Sequence, residues 1–323
     1  MRKLLPGDPE IPARRQTRLG LGPDQDRRRP LWLEGDSAVL CQPAIGIVGT
    51  RQPSAHGLAV ARMVAAACVA DGWVVVSGVA RGIDEAAHEA ALRAGGRTIG
   101  VLPSPAPEGL RRGAHVLGRR MTATGALISD RPPGTPPAAW SFVSRNGLLA
   151  ALCDGLIVVE APEGSGALIT AEAATEFGIP LAFVTAPFGS TSAAGGLSWF
   201  ARAAELTLLP PGLPPPHLLS DTQGLRTWLR VCATSLREDA SVRAPEMRAF
   251  DTAPLPDGLR GLILQALDRA GAVGLTEGDL LGVSEGVEAA LPTALTLLAL
   301  QGLAEQRGGR WRGCEGAVLR SRA

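Results

Sequence analysis

Three glycine-containing turns carry the residues with the clearest chemical potential in this chain. Each turn follows an apolar, strand-like run and precedes a helix-like segment; the turns read Gly49-Thr50-Arg51, Ser77-Gly78-Val79-Ala80-Arg81-Gly82 and Gly164-Ser165-Gly166. Small residues at the start of a helix leave backbone N–H groups unpaired, and the helix dipole adds to their attraction for anions. If the three turns meet at one edge of a parallel sheet, they predict a crevice for the phosphate of a nucleotide or of a nucleic-acid backbone.

Other polar residues near these turns allow both a binding and a structural interpretation. Arg145 and Asn146 could close over a phosphate or a sugar, or could form an ordinary pair on a helix surface. Asp84 favours a helix cap over a catalytic acid, because a carboxylate facing phosphate would repel it. Ser165 is a sound N-cap and lacks the GxSxG context of a nucleophile, so catalysis by it is not expected.

Other kinds of site have little support in the sequence. A GxGxxG fingerprint is absent at Gly46–Arg51, which argues against a dinucleotide site. The five cysteines are scattered, with no CxxC pair, so neither a zinc site nor a disulfide framework is indicated and a reducing cytoplasm is expected. His88 has no partner at ligand spacing. We therefore predict no catalytic residue, no metal and no cofactor, and the absence of a long apolar run predicts no membrane span.

Charge and composition neither demand nor exclude nucleic acid. The formal net charge is +1, and Lys3 is the only lysine, so nearly every basic side chain is an arginine. Arginine forks suit phosphate bidentately and can stack on bases, although coding bias also explains an arginine excess. Since the total charge is balanced, any nucleic-acid site must be a local patch.

Alternating strand and helix patterns supply the elements that would position the turns. Apolar runs occur at 44–48, 73–77, 98–102, 126–129, 156–160 and 181–185, and helical stretches at 57–71, 84–95, 142–153 and 166–178. Such alternation predicts an α/β fold with a doubly wound, mostly parallel sheet. The predicted long connection covers 103–125 and carries four arginines: Arg111, Arg112, Arg119 and Arg120.

The remaining segments suggest a second unit. We predict an irregular leader over 1–29 and a first domain over 30–210. A proline-rich linker is predicted over 211–256, with one helix inside it at 218–237. Three helical segments and a hairpin-like turn at 307–309 predict a small winged-helix domain over 257–323.

Several of these motifs together resemble the DprA/Smf family of DNA-processing proteins. The resemblance covers about residues 30–205, and its most specific part is the SGxAxGIDxxAH run that begins at Ser77. The other matching segments are Pro30–Asp36, Ile47–Arg51, Ile128–Asp130, Arg145-Asn146, Val159–Ala161 and Ser165–Ala171. The chain differs from the family pattern at His56, where an aromatic ring is usual, and at Gly147, where a second arginine is usual.

The resemblance implies an extended Rossmann-like fold that binds single-stranded DNA without hydrolysing it. It also implies a homodimer that protects incoming DNA and helps load RecA onto it during natural transformation, in part by getting past single-strand-binding protein. With the turns, the family pattern gives the expected DNA-binding set: Gly49, Thr50, Arg51, Ser77, Gly78, Ala80, Arg81, Gly82, Arg145, Asn146, Gly164, Ser165 and Gly166.

Two other functions are compatible with the same crevice. An enzyme related to the lysine-decarboxylase-like group would cleave nucleoside monophosphates, but the double glycine and the Gly-Thr step of its PGGxGTxxE run are missing at 162–170, and Glu172 alone is a weak acid candidate. A nucleotide-sensing regulator would bind duplex DNA through the winged helix. Its predicted third helix, 288–301, has no lysine or arginine, which disfavours groove reading.

Overall fold

The structure is a computed structural model of the 323-residue chain. It describes residues 1–5, 7–19, 30–106, 110, 114–187, 189–204, 215–241, 259–271, 275–276, 279–280, 295, 298, 304–307 and 310–313. The chain divides into two compact units, one of residues 1–137 and 145–244 and one of residues 138–144 and 245–323.

A nine-stranded sheet organises the first unit, in the order β1-β2-β6-β5-β4-β3-β7-β8-β9. The strands are β1 (Arg2–Leu4), β2 (Leu31–Gly35), β3 (Ala44–Val48), β4 (Val74–Ser77), β5 (Thr98–Val101), β6 (Ala126–Ser129), β7 (Gly155–Val158), β8 (Leu181–Val184) and β9 (His217–Leu219). Strands β3 to β9 pair in parallel, whereas β2 pairs antiparallel with β6 and with β1. The prediction of a mostly parallel α/β sheet is confirmed.

Helices cover both faces of the sheet. They are α1 (Ala13–Arg18), α2 (Ala55–Ala70), α3 (Ile83–Arg93), α4 (His115–Thr124), α5 (Ala139–Ala151), α6 (Gly166–Glu176), α7 (Ala194–Ala204) and α8 (Thr222–Ser241). Buried side chains of α2, α3 and α8 form one apolar cluster with Ile45, Val75 and Ile157 of the sheet. Those of α5, α6 and α7 pack with Val48 and Val76 on the opposite face. Adjacent strand residues therefore point into different cores, which explains why the strands are apolar throughout.

Local sequence signals set the ends of most of these helices. Ser54 caps α2 by accepting the Gly57 N–H at 3.0 Å, and Ser165 caps α6. Glycines follow α2, α3 and α6 with φ of 82°, 75° and 67°, at Gly72, Gly95 and Gly178. A left-handed backbone at that position favours glycine, so the predicted helix ends are confirmed.

Three segments contain more structure than the sequence predicts. The leader is not irregular throughout, because β1 and α1 lie within it. The connection over 103–125 contains α4, whose Leu117 and Met121 pack against Leu127 of the sheet. The predicted linker contains β9 in addition to α8, which confirms the helix expected at 218–237, and Trp228 of α8 is completely buried in the first unit.

A buried ion cluster fastens the leader to the sheet. The Asp154 carboxylate, just before β7, accepts hydrogen bonds from Arg14 at 2.9 Å, from Arg15 at 3.1 Å and from Arg18 at 3.3 Å. It also accepts the backbone N–H of Ala44 at 3.0 Å. The Asp154 and Arg15 side chains have no exposed surface. Although burial alone would raise the pKa of Asp154, the arginines, Arg15 foremost, hold that pKa below its ordinary value.

The second unit is described in part. Helix α9 (Leu259–Ala270) contributes Ile263, Leu264 and Leu267 to an apolar cluster with Trp311. Strands β10 (Ala304–Arg307) and β11 (Arg310–Gly313) form the expected antiparallel hairpin. The predicted second and third helices lie mostly outside the described residues, so the winged helix stays a prediction.

Candidate functional site

The three sequence-predicted turns lie at one edge of the sheet, around its topological switch point. From β3 the chain proceeds outward through β4, β5 and β6, while β7 and β8 lie on the other side of β3. Loops after β3 and β7 therefore diverge to opposite faces and open a crevice between them, which is where open α/β sheets bind ligands. Gly49 follows β3, Gly78 follows β4 and Gly164 lies beyond β7.

The first two turns pack directly on each other. Gly82 has a φ of 95°, and a Cβ there would lie 2.6 Å from the Thr50 carbonyl oxygen, so only glycine fits. That same oxygen accepts the Ile83 N–H at 3.3 Å, and the Thr50 N–H donates to the Glu160 carbonyl at 2.7 Å. These contacts hold the exposed side chains of Arg51 and Arg81 on adjoining turns.

Arg145 lies across the second turn. A Cβ on Gly78 would lie 1.3 Å from the Arg145 Nη1 atom, so the missing side chain of Gly78 is the space that the guanidinium occupies. Arg145 is only 5% exposed, and an ion pair joins its Nη1 to Asp84 Oδ2 at 3.8 Å. Its Nε has no hydrogen-bond partner among the residues that the structure describes. The predicted juxtaposition of Arg145 with the glycine turn is therefore present in the fold.

Burial leaves this ion pair poorly compensated. Burial, against the opposing effect of Asp84, lowers the pKa of Arg145, and the nearby charge of Arg51 lowers it further. Burial also raises the pKa of Asp84 despite the attraction of Arg145. Both partners are thus shifted toward their neutral forms, which means that desolvation outweighs their mutual attraction. An anion approaching Arg145 would supply the compensation that Asp84 alone does not.

Asn146 connects helix α5 to the third turn. Its Nδ2 donates to the Gly166 carbonyl at 3.1 Å, and the Ser165 hydroxyl accepts the Ala167 N–H at 3.3 Å. Gly164, with a φ of 71°, is exposed, as is Gly166. A Cβ on Gly166 would meet only the Asn146 amide, at 3.9 Å, so the backbone there is open to a ligand.

Carboxylates of the protein itself occupy two of the three helix N-termini. Glu160 is buried and accepts the Ser54 N–H at 2.9 Å and the Ser54 hydroxyl at 2.5 Å, so its negative charge faces the start of α2. Asp84, in the first turn of α3, accepts the Ala80 N–H at 3.4 Å. It is not the N-cap, which is Gly82. Bare N–H groups therefore contribute less at these turns than the sequence suggests, and the arginine side chains contribute more.

Ser77 and His88 have internal roles. The Ser77 hydroxyl is buried and donates to the Ile47 carbonyl at 2.6 Å, so it ties β4 to β3. His88 Nδ1 lies 2.6 Å from the Thr98 hydroxyl, and burial lowers the pKa of His88 to about 3. Neutral and enclosed, His88 is part of the packing beneath the crevice.

Sequence reasoning missed one strained residue in the second turn. Val79 has a φ of 56°, a conformation that a β-branched residue rarely adopts. Its side chain is buried with Leu102, Met121 and Leu127, so packing holds the strained backbone in place. Of the four arginines on the predicted 103–125 connection, Arg119 and Arg120 are exposed on α4, while Arg111 and Arg112 lie outside the described residues.

The described helices include none that is long and apolar enough to cross a lipid bilayer.

Comparison with known proteins gives concordant matches. A family model described as DNA recombination-mediator protein A matches residues 3–210. The DNA processing protein DprA of Bacillus subtilis is 37% identical over 187 residues, which are 53% of this chain and 63% of the relative. The match thus spans less than two thirds of that relative's length.

Solved structures show the same fold. The X-ray structure of DprA from Streptococcus pneumoniae superposes with a TM-score of 0.60 and 26% identity, covering 70% of this chain and 73% of that one. DprA from Helicobacter pylori, whose structure concerns its binding mode for single-stranded DNA, gives a TM-score of 0.51 with 25% identity and covers 65% and 87% of the two chains.

Proposed function

The chain belongs to the DNA recombination-mediator protein A family, and on that premise we propose that it binds single-stranded DNA in the crevice at the switch point of its sheet. The observation that carries the proposal is the guanidinium of Arg145, which is buried against Gly78 and, within the described part of the chain, has one long ion pair and an unpartnered Nε. Buried cations normally find full compensation, and a phosphodiester would provide it here. Binding of single-stranded DNA is also the subject of the Helicobacter pylori DprA structure.

The proposed binding surface follows the predicted set, with roles assigned from the fold. Arg51, Arg81 and Arg145 would neutralise phosphate, while the backbone at Gly164 and Gly166 would allow close approach. Ser77, Gly78 and Gly82 would act by shaping the turns on which these groups lie. The other members of the set are Gly49, Thr50, Ala80, Asn146 and Ser165.

The wider role is proposed from the family. We infer a non-enzymatic mediator that acts as a homodimer, protects incoming single strands during natural transformation and helps to load RecA, with single-strand-binding protein as a further partner. The cytoplasmic location and the boundaries of the leader, linker and winged-helix domain stay predictions.

Arg51→Ala is expected to weaken single-stranded DNA binding by roughly 1–3 kcal/mol, the range for a charge-assisted contact. Arg51 is exposed at the carboxyl end of β3, and its charge is felt by Arg145. Binding of oligo-dT, duplex DNA and AMP should be titrated side by side over a range of salt concentrations, with and without EDTA. Since few arginines contact phosphate, the log–log salt slope on single strands should be a few units, at about 0.7 per contact.

Arg226→Ala is the matched control for this experiment, because Arg226 is an exposed arginine on α8, remote from the three turns in sequence. A flat salt dependence of the wild type, or tighter binding to duplex than to oligo-dT, would reject the crevice. Turnover of AMP would favour the enzyme alternative instead.

Gly166→Ala is expected to leave the fold intact and to weaken oligo-dT binding several-fold. The new Cβ meets no protein atom closer than 3.9 Å, and alanine in a helix is more stable than glycine by up to about 1 kcal/mol. A strand that passes over the exposed turn would nevertheless meet the added methyl group. Thermal unfolding and affinity should be measured on the same preparation, with Gly224→Ala in α8 as the control. Unchanged affinity would remove this turn from the DNA path.

A further inference from the structure

A cleft on the outer surface of α2 and α3 begins at the crevice and leads away from it. Its volume is about 650 Å³, within the roughly 300–1,000 Å³ of ligand sites. Arg51 and Gly82, at the edge of the crevice, also line this cleft. A ligand that leaves the crevice past Arg51 therefore enters the cleft without crossing another element.

Two arginines in the cleft have no acidic partner among the described residues. Within the part of the chain that the structure describes, neither Arg62 of α2 nor Arg81 makes a hydrogen bond or an ion pair, and both are exposed. The lining also has two carboxylates, Glu85 and Glu89, of which Glu89 already pairs with Arg93 at 2.9 Å. The cleft thus presents two available guanidinium groups to an anion.

The rest of the lining suits a nucleic-acid strand better than a compact anion. Pro53, Leu58 and Ala86 add apolar surface to the cleft. Sugars and base faces can rest on such surface while the phosphates reach the arginines, and guanidinium planes can themselves stack on bases. None of the described residues that line the cleft is aromatic, so stacking would fall to the arginines.

We propose that this cleft holds the stretch of single-stranded DNA that flanks the nucleotides bound in the crevice, with Arg81 where crevice and cleft meet and Arg62 contacting the phosphates beyond it. The inference rests on the proposed function and extends it, because it gives the strand a direction across the protein and assigns Arg62, which no sequence motif indicates. Binding should consequently depend on oligonucleotide length, since a short strand fills the crevice alone.

The test compares two oligo-dT strands, of about 6 and about 20 nucleotides, by fluorescence anisotropy. Arg62→Gln should lower the ratio of long-strand to short-strand affinity about 3- to 10-fold and reduce the long-strand salt slope by about 0.7. Glu89→Gln removes a carboxylate from the cleft and should raise the same ratio. A folding defect would not produce these opposite signs.

Arg230→Gln is the matched control, because Arg230 is an exposed arginine of α8, and α8 packs on the same face of the sheet as α2. The cleft proposal would be overturned if Arg62→Gln and Arg230→Gln gave the same ratio of long-strand to short-strand affinity. It would also be overturned if Glu89→Gln lowered that ratio. If the cleft proposal failed in this way while Arg51→Ala still weakened binding, DNA binding in the crevice would remain supported. A wild type that binds neither strand would reject the proposed function itself.

Discussion

Asp154→Asn is expected to lower the free energy of unfolding by about 3–5 kcal/mol, the cost of leaving a buried charge without its partner. Arg15 has no exposed surface and depends on Asp154 for its counter-charge. Its remaining bonds, to the carbonyl oxygens of Leu40 and Gln42, satisfy donors without neutralising the charge. Urea unfolding followed by circular dichroism would measure the change.

Arg93→Gln supplies the comparison, because it breaks an exposed pair with Glu89 that is worth at most about 1 kcal/mol. Equal small effects of the two substitutions would mean that apolar contacts, rather than the ion cluster, hold the leader. Limited proteolysis within residues 1–19 gives a second measurement, since release of α1 should precede global unfolding in the Asp154 variant.

The same cluster predicts how stability depends on pH. The arginines lower the pKa of Asp154 in the folded protein against the opposing effect of burial. A lowered native pKa stabilises the fold fully above the ordinary carboxyl value of about 4, and this contribution disappears as the pH falls through the lowered value. As the pH falls from about 4 through the lowered value, stability should therefore decrease less in Asp154→Asn than in the wild type.

Much of the sheet could be predicted because its strands and helices carry local signals. The apolar runs that become β3, β4 and β7 are buried on both faces, and Gly72, Gly95 and Gly178 end helices through a positive φ. Such signals depend on neighbours in sequence. They are available before any tertiary contact is known.

The leader could not be predicted, because its structure depends on distant partners. Strand β1 has three residues and forms only by pairing with β2, and α1 is fastened by Asp154, more than a hundred residues away. An arginine-rich segment normally indicates solvent exposure, and nothing local marks Arg15 as a residue that becomes completely buried.

At the candidate site, the turns could be predicted but their internal chemistry could not. The glycine pattern places Arg51, Gly78 and Gly164 at one edge. It does not reveal that Glu160 and Asp84 face two of the helix starts, because each carboxylate comes close only through the fold. We therefore expect DNA binding at this edge to depend on side-chain cations more than on bare N–H groups.

Gly78→Ala is expected to be the most damaging single methyl addition in the crevice. The new Cβ would lie 1.3 Å from Arg145 Nη1 and 2.7 Å from Asp84 Oδ2, so the guanidinium must move and its ion pair must break. We expect a loss of about 2–4 kcal/mol in stability, from overpacking together with a separated buried pair. Displacement of Arg145 should also lower oligo-dT affinity by about two orders of magnitude at moderate salt.

Two further variants separate the loss of the Arg145 position from general damage. Gly224→Ala adds the same methyl group in α8 where the nearest protein atom is 3.6 Å away, so it should not lower stability and should leave oligo-dT affinity unchanged. Arg145→Met removes the cation but keeps much of the volume. If the binding role of Gly78 is to leave room for Arg145, then combining Gly78→Ala with Arg145→Met should weaken DNA binding no further than Arg145→Met alone, because the guanidinium is already gone. Additive losses in the double variant would show instead that Gly78 contacts the DNA directly, since its backbone would then act independently of Arg145.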